Sequence, residues 1–244
     1  MPEGPSIVIL KELVHPFKGQ TVEKASNNNN KLDIAILKNQ KVTDFKTWGK
    51  SFFICFKKFS IRIHFGLFGS YRINEHTAKP ARLHLQFDDS ELNFYACTLQ
   101  LIEEPLDKLY DFTADVMNPK WSSPKALAKM LAEPQMLASD ALMNQQIFSG
   151  VGNIIKNEVL FRTRIHPLSE VGQIPAKKLK EMVHEAVKYT FEFLEQKKAG
   201  TLKKHWLAYK KATCPRDNVP FQIADTGKSR RRTFYCDKCM VLYK

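Results

Sequence analysis

The sequence predicts an α+β protein in which an N-terminal antiparallel β-sandwich is followed by a helical domain and a small hairpin resembling a zinc finger. Three observations support this. Short runs rich in aromatic and β-branched residues recur between residues 42 and 96, as in antiparallel sandwiches. Helical patterns dominate the second half of the chain. Three of the five cysteines lie between residues 214 and 239, which in a chain without a secretion signal suggests a metal site.

The N-terminal half combines one short helix with several strands. We expect a helix over residues 6–14, capped by Ser6 and ended by His15-Pro16. The polar run Asn27–Asn30 is typical of a loop tip. The predicted strands are Ser51–Phe56, Ser60–Phe65, Arg82–Phe87 and Leu92–Ala96.

The C-terminal half changes character after a hinge-like stretch at residues 116–119. The longest predicted helix, Ala176–Gln196, has an apolar face formed by Leu179, Met182, Val183 and others at helical spacing. The remaining predicted helices are Pro124–Ala132, Met136–Gln146 and Asn153–Phe161. We therefore predict a β-sandwich domain over 1–112, a helical domain over 122–212 and a hairpin over 213–244.

Charge is the first indication of a partner. The 244 residues contain 38 Lys+Arg and 25 Asp+Glu, a net charge of +13, which favours a polyanion such as nucleic acid or a membrane surface. A basic enzyme without such a partner remains an alternative. No run approaches the ~20 apolar residues of a membrane span. We expect a monomeric, cytoplasmic protein that does not enter a membrane and that associates with the nucleoid if its source is a bacterium.

The chain begins with Met1-Pro2-Glu3. Because Pro2 is small, removal of Met1 is expected, which would leave a free secondary amine beside a carboxyl group. An α-amino group titrates near ~7.7–8, so this amine could attack an aldehyde-level carbon and form a Schiff base, with Glu3 moving protons. An ordinary extended N-terminus is the alternative.

A second stretch, residues 147–153, places Gly150 and Gly152 just before a helix that begins near Asn153. Glycines allow close approach of the backbone to a ligand, and a helix N-terminus favours a phosphate. Asn153 would cap the helix or donate to that phosphate. A helical corner with purely structural glycines is the alternative.

The cysteine-rich tail contains Cys214-x-x-Asp217 and Cys236-x-x-Cys239, joined by a basic segment. This spacing resembles a zinc ribbon in which Asp217 replaces one cysteine, and carboxylate oxygen can bind zinc. A hairpin held only by packing is the alternative.

The stretch HFGLFG at residues 64–69 holds Leu67 and Phe68 between two glycines. An apolar pair on a tight turn can insert between stacked bases. The alternative is that both side chains belong to the hydrophobic core.

Taken together and in this order, these stretches resemble the formamidopyrimidine-DNA glycosylase/endonuclease VIII family of base-excision repair enzymes. The resemblance covers nearly the whole chain. It rests on MPEGP at residue 1, WGKSFF at 48–53, HFGLFG at 64–69, DALMNQQIFSGVGNIIKNEVLFRTRIHP at 140–167 and SRRRTFYCDKC near the C-terminus. It implies damaged DNA as the partner, a helix–two-turn–helix in the helical domain and structural zinc in the hairpin.

The resemblance also implies roles for single residues. Pro2 would attack the sugar of a damaged nucleoside, and Glu3 would protonate its ring oxygen. Leu67, with Phe68, would fill the gap left by the flipped base. Contacts to phosphate are implied for Lys50, Asn153 and Arg231.

One departure from the family pattern suggests the substrate. Members that prefer oxidised purines carry an Arg-Arg-Phe-Gly type loop after a late strand, and residues 95–100 have none. The chain therefore lies nearer the endonuclease VIII branch, which prefers oxidised pyrimidines. Two alternatives remain: a damaged-DNA binder that has lost its chemistry, and a zinc-ribbon nucleic-acid-binding protein unrelated to repair.

Overall fold

The computed structural model describes residues 2–28 and 32–244 and divides into two compact units, Met1–Tyr110 and Asp111–Lys244. Two residues of the predicted loop tip, Asn29 and Asn30, lie outside the described residues. The first unit contains α1 (Gly4–Leu13), β1 (Lys24–Ser26), β2 (Asp44–Trp48), β3 (Ser51–Cys55), β4 (Ser60–His64), β5 (Ser70–Ile73), β6 (Leu83–Gln86), β7 (Glu91–Tyr95), β8 (Thr98–Ile102) and α2 (Leu106–Leu109).

The eight strands of the first unit form two antiparallel four-stranded sheets, with strand orders β1-β6-β7-β5 and β2-β3-β4-β8. Both sheets and α1 contribute to one apolar core, for example through Leu10, Phe52 and Phe94. β3 is buried along its whole length, which explains why the run FFIC after Ser51 is continuously apolar rather than alternating. The predicted β-sandwich is confirmed.

The second unit consists of helices and a two-stranded antiparallel hairpin, as predicted. Its core is centred on the two longest helices. None of the helices in the described residues is long and apolar enough to cross a membrane. The elements are α3 (Ser123–Leu131), α4 (Ala138–Met143), α5 (Asn153–Thr163), α6 (Ala176–Lys198), β9 (Gln222–Thr226) and β10 (Arg231–Tyr235). The finer division at residues 112, 122 and 213 stays a prediction.

The start of α1 differs from the expectation. Ser6 is not the cap; Glu3 is the N-cap residue, and the helix begins at Gly4. Pro5 occupies one of the first two helical positions, where its missing N–H removes no helical hydrogen bond and its fixed φ suits the helix. The proline therefore allows the helix to begin two residues earlier than the Ser6 prediction.

The predicted helix Met136–Gln146 is also too long, because α4 covers only Ala138–Met143. On its N-terminal side Leu137 forms an isolated β-bridge with Glu170, which keeps the preceding backbone extended. On its C-terminal side the Asn144 side chain accepts the Gln146 N–H at 2.9 Å. Such local side-chain bonds compete with helix continuation.

The geometry of the turn between β4 and β5 can be tested by substituting its two glycines. Gly66 has φ +56°, and a Cβ added there would meet open space, whereas a Cβ on Gly69 would collide with the backbone carbonyl oxygen of Phe65. We expect Gly69→Ala to lower the free energy of unfolding by about 3 kcal/mol through overpacking, and Gly66→Ala by only about 1 kcal/mol through left-handed strain. Urea denaturation measures both. Equal losses would contradict the turn geometry described here.

Candidate active site and metal centre

The predicted nucleophile and its acid lie at the start of α1. Pro2 is half-buried, and Glu3 is fully buried. The Glu3 backbone is extended, with φ −113° and ψ 173°, and its carbonyl accepts the Ser6 N–H at 2.8 Å. Glu3 is the N-cap residue, so it lies at the positive end of the α1 dipole. α1 itself packs on β2 and β3.

The hairpin turn between β2 and β3 carries Lys50. Gly49 takes φ +54° there, so the turn requires a glycine. β4 pairs with β3 so that His64 lies opposite Ser51, next to Lys50. The register of the two strands thus places a titratable ring beside the predicted phosphate-binding lysine.

His64 is a functional candidate that the sequence did not single out. Burial lowers the pKa of His64, and the positive charges of Arg62 and Lys50 lower it further, while a hydrogen bond with the Lys50 backbone opposes them. The imidazole is therefore neutral near pH 7. Its Nδ1 is buried and has no hydrogen-bond partner among residues 2–28 and 32–244. Only the strand register reveals this neighbour, although His64 is the first residue of HFGLFG.

Leu67 and Phe68 lie in the β4–β5 turn and point away from the core. Leu67 is 49% exposed and Phe68 is 86% exposed. The alternative that this pair belongs to the core is therefore wrong. Large apolar side chains on a rigid turn are available to a ligand.

The glycine-containing turn before α5 is organised by Gln145, another residue that the sequence did not single out. Gln145 Oε1 accepts the Gly150 N–H at 3.1 Å, and its Nε2 donates to the Val151 carbonyl at 3.0 Å. Gly150 has φ +100°, which requires glycine. Gly152 is extended and is the N-cap residue of α5, so Asn153 is the first helical residue and not the cap.

Asn153 and Arg231 are brought together by the packing of α5 on the β9–β10 hairpin. Asn153 Nδ2 donates to the Arg232 carbonyl at 2.9 Å, next to Arg231 in the chain, while Asn153 Oδ1 is buried without a partner in the described part of the chain. In this structure the Asn153 side chain therefore holds the hairpin; its predicted contact with phosphate stays a prediction.

Two further α5 side chains fix the strand that carries Arg231. Lys156 is buried, and its Nζ donates to Thr233 Oγ1 at 2.7 Å. The Phe234 N–H donates to Asn157 Oδ1 at 2.7 Å. Because these partners lie on β10 itself, α5 fixes the strand that carries Arg231.

The turn of the hairpin is held by α4. The Lys228 N–H donates to Asp140 Oδ1 at 2.8 Å. Gly227 takes φ +72°, and a Cβ there would collide with the Asp140 carboxylate. The hairpin is thus fixed at its turn as well as along β10.

The four predicted metal ligands converge at the base of the hairpin. The ligand atoms of Cys214, Asp217, Cys236 and Cys239 all lie within 4.8 Å of one another. Cys214 Sγ lies 3.8 Å from Cys239 Sγ and 3.5 Å from Asp217 Oδ2. Cys236 Sγ lies 3.3 Å from the same carboxylate oxygen.

These distances fit a tetrahedral metal site. Zinc binds sulfur at about 2.3 Å and carboxylate oxygen at about 2.0–2.2 Å, which separates neighbouring ligand atoms of a tetrahedron by roughly 3.5–3.8 Å. Without a cation, burial raises the pKa of the Cys239 thiol to about 12. A bound cation removes that obstacle, because the metal ligand is the thiolate. The residues present therefore can hold a metal ion.

Arg216 connects this cluster to α5. Its guanidinium carbon lies 4.0 Å from the centroid of the Phe161 ring, and its Nη1 donates to the Phe161 carbonyl at 2.7 Å. Nη1 also lies 3.8 Å from Cys239 Sγ. The arginine thus neutralises the C-terminal end of the helix and lies beside a ligand sulfur.

Two family models match the chain. The formamidopyrimidine-DNA glycosylase N-terminal domain matches residues 1–97, and the formamidopyrimidine-DNA glycosylase H2TH domain matches residues 115–204.

Curated relatives match almost the full chain. Endonuclease 8-like 3 from Xenopus laevis is 30% identical over 98% of this chain and 40% of its own length. Endonuclease 8-like 2 from Bos taurus is 28% identical over 98% of this chain and 95% of its own length. The chain thus spans about two fifths or less of the endonuclease 8-like 3 proteins from frog, mouse and man.

Solved structures share the fold. A viral DNA glycosylase superposes with a TM-score of 0.86 at 20% identity, covering 98% of this chain and all of the other. The Lactococcus lactis formamidopyrimidine-DNA glycosylase, solved with DNA containing an abasic site, gives 0.86 at 18% identity, covering 98% and 99%. At these identities the similarity establishes the fold alone.

Proposed function

This chain belongs to the formamidopyrimidine-DNA glycosylase/endonuclease VIII family, and from that membership we propose that it is a bifunctional DNA glycosylase and abasic-site lyase that removes oxidised pyrimidines. The observation that carries the proposal is the placement of a fully buried carboxyl group, Glu3, directly after Pro2. Burial keeps this acid away from bulk solvent, and removal of Met1 would expose a secondary amine directly beside it.

The first step is displacement of the damaged base. Once Met1 has been removed, the Pro2 nitrogen is a secondary amine that is largely unprotonated somewhat above neutral pH. It attacks C1′ of the nucleoside and displaces the base, which leaves with the proton lost from the proline nitrogen. Glu3 then protonates the ring oxygen, the bond from C1′ to that oxygen breaks, and the nitrogen lone pair forms the double bond to C1′. The product is an iminium ion between Pro2 and C1′.

The second step is strand cleavage. The iminium cation acidifies the C2′–H bond; loss of that proton expels the 3′ phosphate, and a further deprotonation expels the 5′ phosphate. Hydrolysis of the imine by water then frees Pro2. A glycosylase that activates only water forms no iminium ion, so it has no cationic group to accept the electrons released when the C2′ proton is lost.

The nucleotide must leave the duplex before either step, and unstacking costs a few kcal/mol. We propose that Lys50 and Arg231 hold phosphates beside the lesion and that Asn153 adds a contact through the N–H that the Arg232 carbonyl does not use. The exposed Leu67 and Phe68 would occupy the gap left in the stack.

The preference for pyrimidines rests on the connection between β7 and β8. It comprises only Ala96 and Cys97; Ala96 takes φ +47° and Cys97 is buried. A connection this tight has no room for the Arg-Arg-Phe-Gly type loop of purine-preferring members.

For the metal we propose zinc. Three sulfurs and one carboxylate at tetrahedral separations suit zinc better than magnesium or calcium, which prefer oxygen ligands. Bound zinc would fix the base of the hairpin and thereby the strand that carries Arg231.

Borohydride trapping tests the nucleophile. Reducing the iminium ion on abasic-site DNA should leave a covalent adduct, and mass spectrometry of the digested protein should locate it on residue 2. Molecules that retain Met1 should form none, because their proline nitrogen is an amide. An adduct on a lysine, or equal cutting by the Met1-retaining form, would reject Pro2.

A panel of duplexes carrying single lesions tests the substrate. We expect single-turnover excision of an oxidised pyrimidine to be at least about tenfold faster than that of 8-oxoguanine, a difference of about 1.4 kcal/mol in the barrier. Undamaged duplex serves as the control. Faster release of the purine would refute the argument from the β7–β8 connection.

Zinc content tests the metal centre. Purified protein should carry about one zinc per chain, Asp217→Ala should weaken zinc binding by at least about tenfold, and Asp217→Cys should restore it. Elemental analysis and chelator competition measure affinity, and hydrogen exchange at β10 reports on the hairpin. Equal zinc affinity in all three proteins would remove Asp217 from the ligand set.

A further inference from the structure

We propose that residues 197–211, here called the lysine segment, form a second nucleic-acid contact that binds phosphates outside the lesion site without regard to sequence. The inference rests on the proposed function in taking DNA as the partner. It extends that function to a surface that none of the predicted site residues occupies. The segment joins the end of α6 to the metal-binding hairpin.

Its charge is uniform. Six lysines and no acid occur in fifteen residues, and Lys197, Lys203, Lys204 and Lys210 are exposed. In the part of the chain that the structure describes, neither these four nor Lys211 forms an ion pair with an acid. By contrast, Lys178 and Lys188 near the start and middle of α6 pair with neighbouring glutamates. Five of the six lysines in the segment therefore carry a positive charge that no acid of the described residues pairs with.

Its backbone is anchored rather than loose. The buried Glu158 carboxylate accepts the N–H groups of Leu207, Ala208 and Tyr209 at 2.9–3.1 Å. Lys210 then takes the left-handed conformation, φ +59°, which is uncommon for a residue with a Cβ. Fixing the backbone removes part of the entropy that a lysine-rich loop would otherwise lose on binding.

Its position is next to the strand that carries Arg231. The Tyr209 ring lies 5.7 Å from the Phe234 ring, and Phe234 follows Arg231 by three residues in β10, or ~10 Å at the rise of a strand. That distance corresponds to about three base-pair steps of DNA. The lysine segment therefore packs on the hairpin that carries Arg231, and a duplex bound at Arg231 would need to extend only a few base pairs to meet the exposed lysines.

The salt dependence of binding to lesion-free duplex tests this surface. Each phosphate contact contributes about 0.9 to the slope of log affinity against log salt. We expect K203Q/K204Q and K210Q/K211Q each to lower that slope by about 1–2 and to weaken binding on the order of tenfold to a hundredfold at 0.1 M salt. The matched control is K177Q/K180Q, which removes two exposed lysines from the other end of α6.

The outcomes separate this inference from the proposed chemistry. The DNA contains no lesion, so a reduced slope supports the surface even if borohydride trapping fails. A slope unchanged from the wild type, or reduced equally in the control, overturns it. The inference is also overturned if the lysine-to-glutamine variants lose binding to phosphatidylserine vesicles while their DNA binding is unchanged, because a membrane would then be the partner. Circular dichroism and thermal unfolding establish that each variant is folded.

Discussion

Helix α5 is buried on nearly all sides, and this burial forces its polar side chains to find partners on other segments. Nine of its eleven residues are buried, so no face is left for solvent. An unpaired buried polar group costs about 1–3 kcal/mol. Lys156 and Asn157 therefore bond to β10, and Glu158 bonds to the segment after α6. The helix acts as the frame on which the rest of the second unit is placed.

The hairpin is consequently held from three directions. α5 fixes β10 along its length, Asp140 holds the turn through the Lys228 N–H, and the candidate metal ligands Cys236 and Cys239 lie at the base. Arg216 links two of these supports, because it contacts both the C-terminal end of α5 and Cys239 Sγ. The backbone position of Arg231 therefore does not depend on one contact, which would favour the phosphate contact proposed for its guanidinium group.

The sequence predicted those features whose signal is local. The apolar run of β3 and the periodic face of α6 placed both elements within two residues of their bounds. The Cys-x-x-Asp and Cys-x-x-Cys spacings predicted a cluster that the structure assembles. The prediction that Ser6 caps α1 was wrong because Pro5 permits the helix to start earlier.

The contacts of α5 could not be predicted from the sequence, for a physical reason. NIIKNEVLF has no amphipathic period, since the helix is surrounded, and the partner of Lys156 lies 77 residues away. Charged residues within such a helix must be paired, although the sequence does not say with what. The same limit applies to His64, whose proximity to Lys50 depends on strand register.

The exposed pair in the β4–β5 turn carries an energetic cost in the free protein. Phe68 is 86% exposed and Leu67 is 49% exposed, although burying such a side chain is worth about 1.5–3 kcal/mol. The Gly69 N–H donates to the Phe65 carbonyl at 2.8 Å and closes the turn on which both residues lie. In the proposed complex, inserting both into a base stack would return most of that free energy, an amount comparable with the few kcal/mol that unstacking one nucleotide requires. In that proposed complex the apolar turn would offset the cost of base extrusion, and the phosphate contacts would set the affinity.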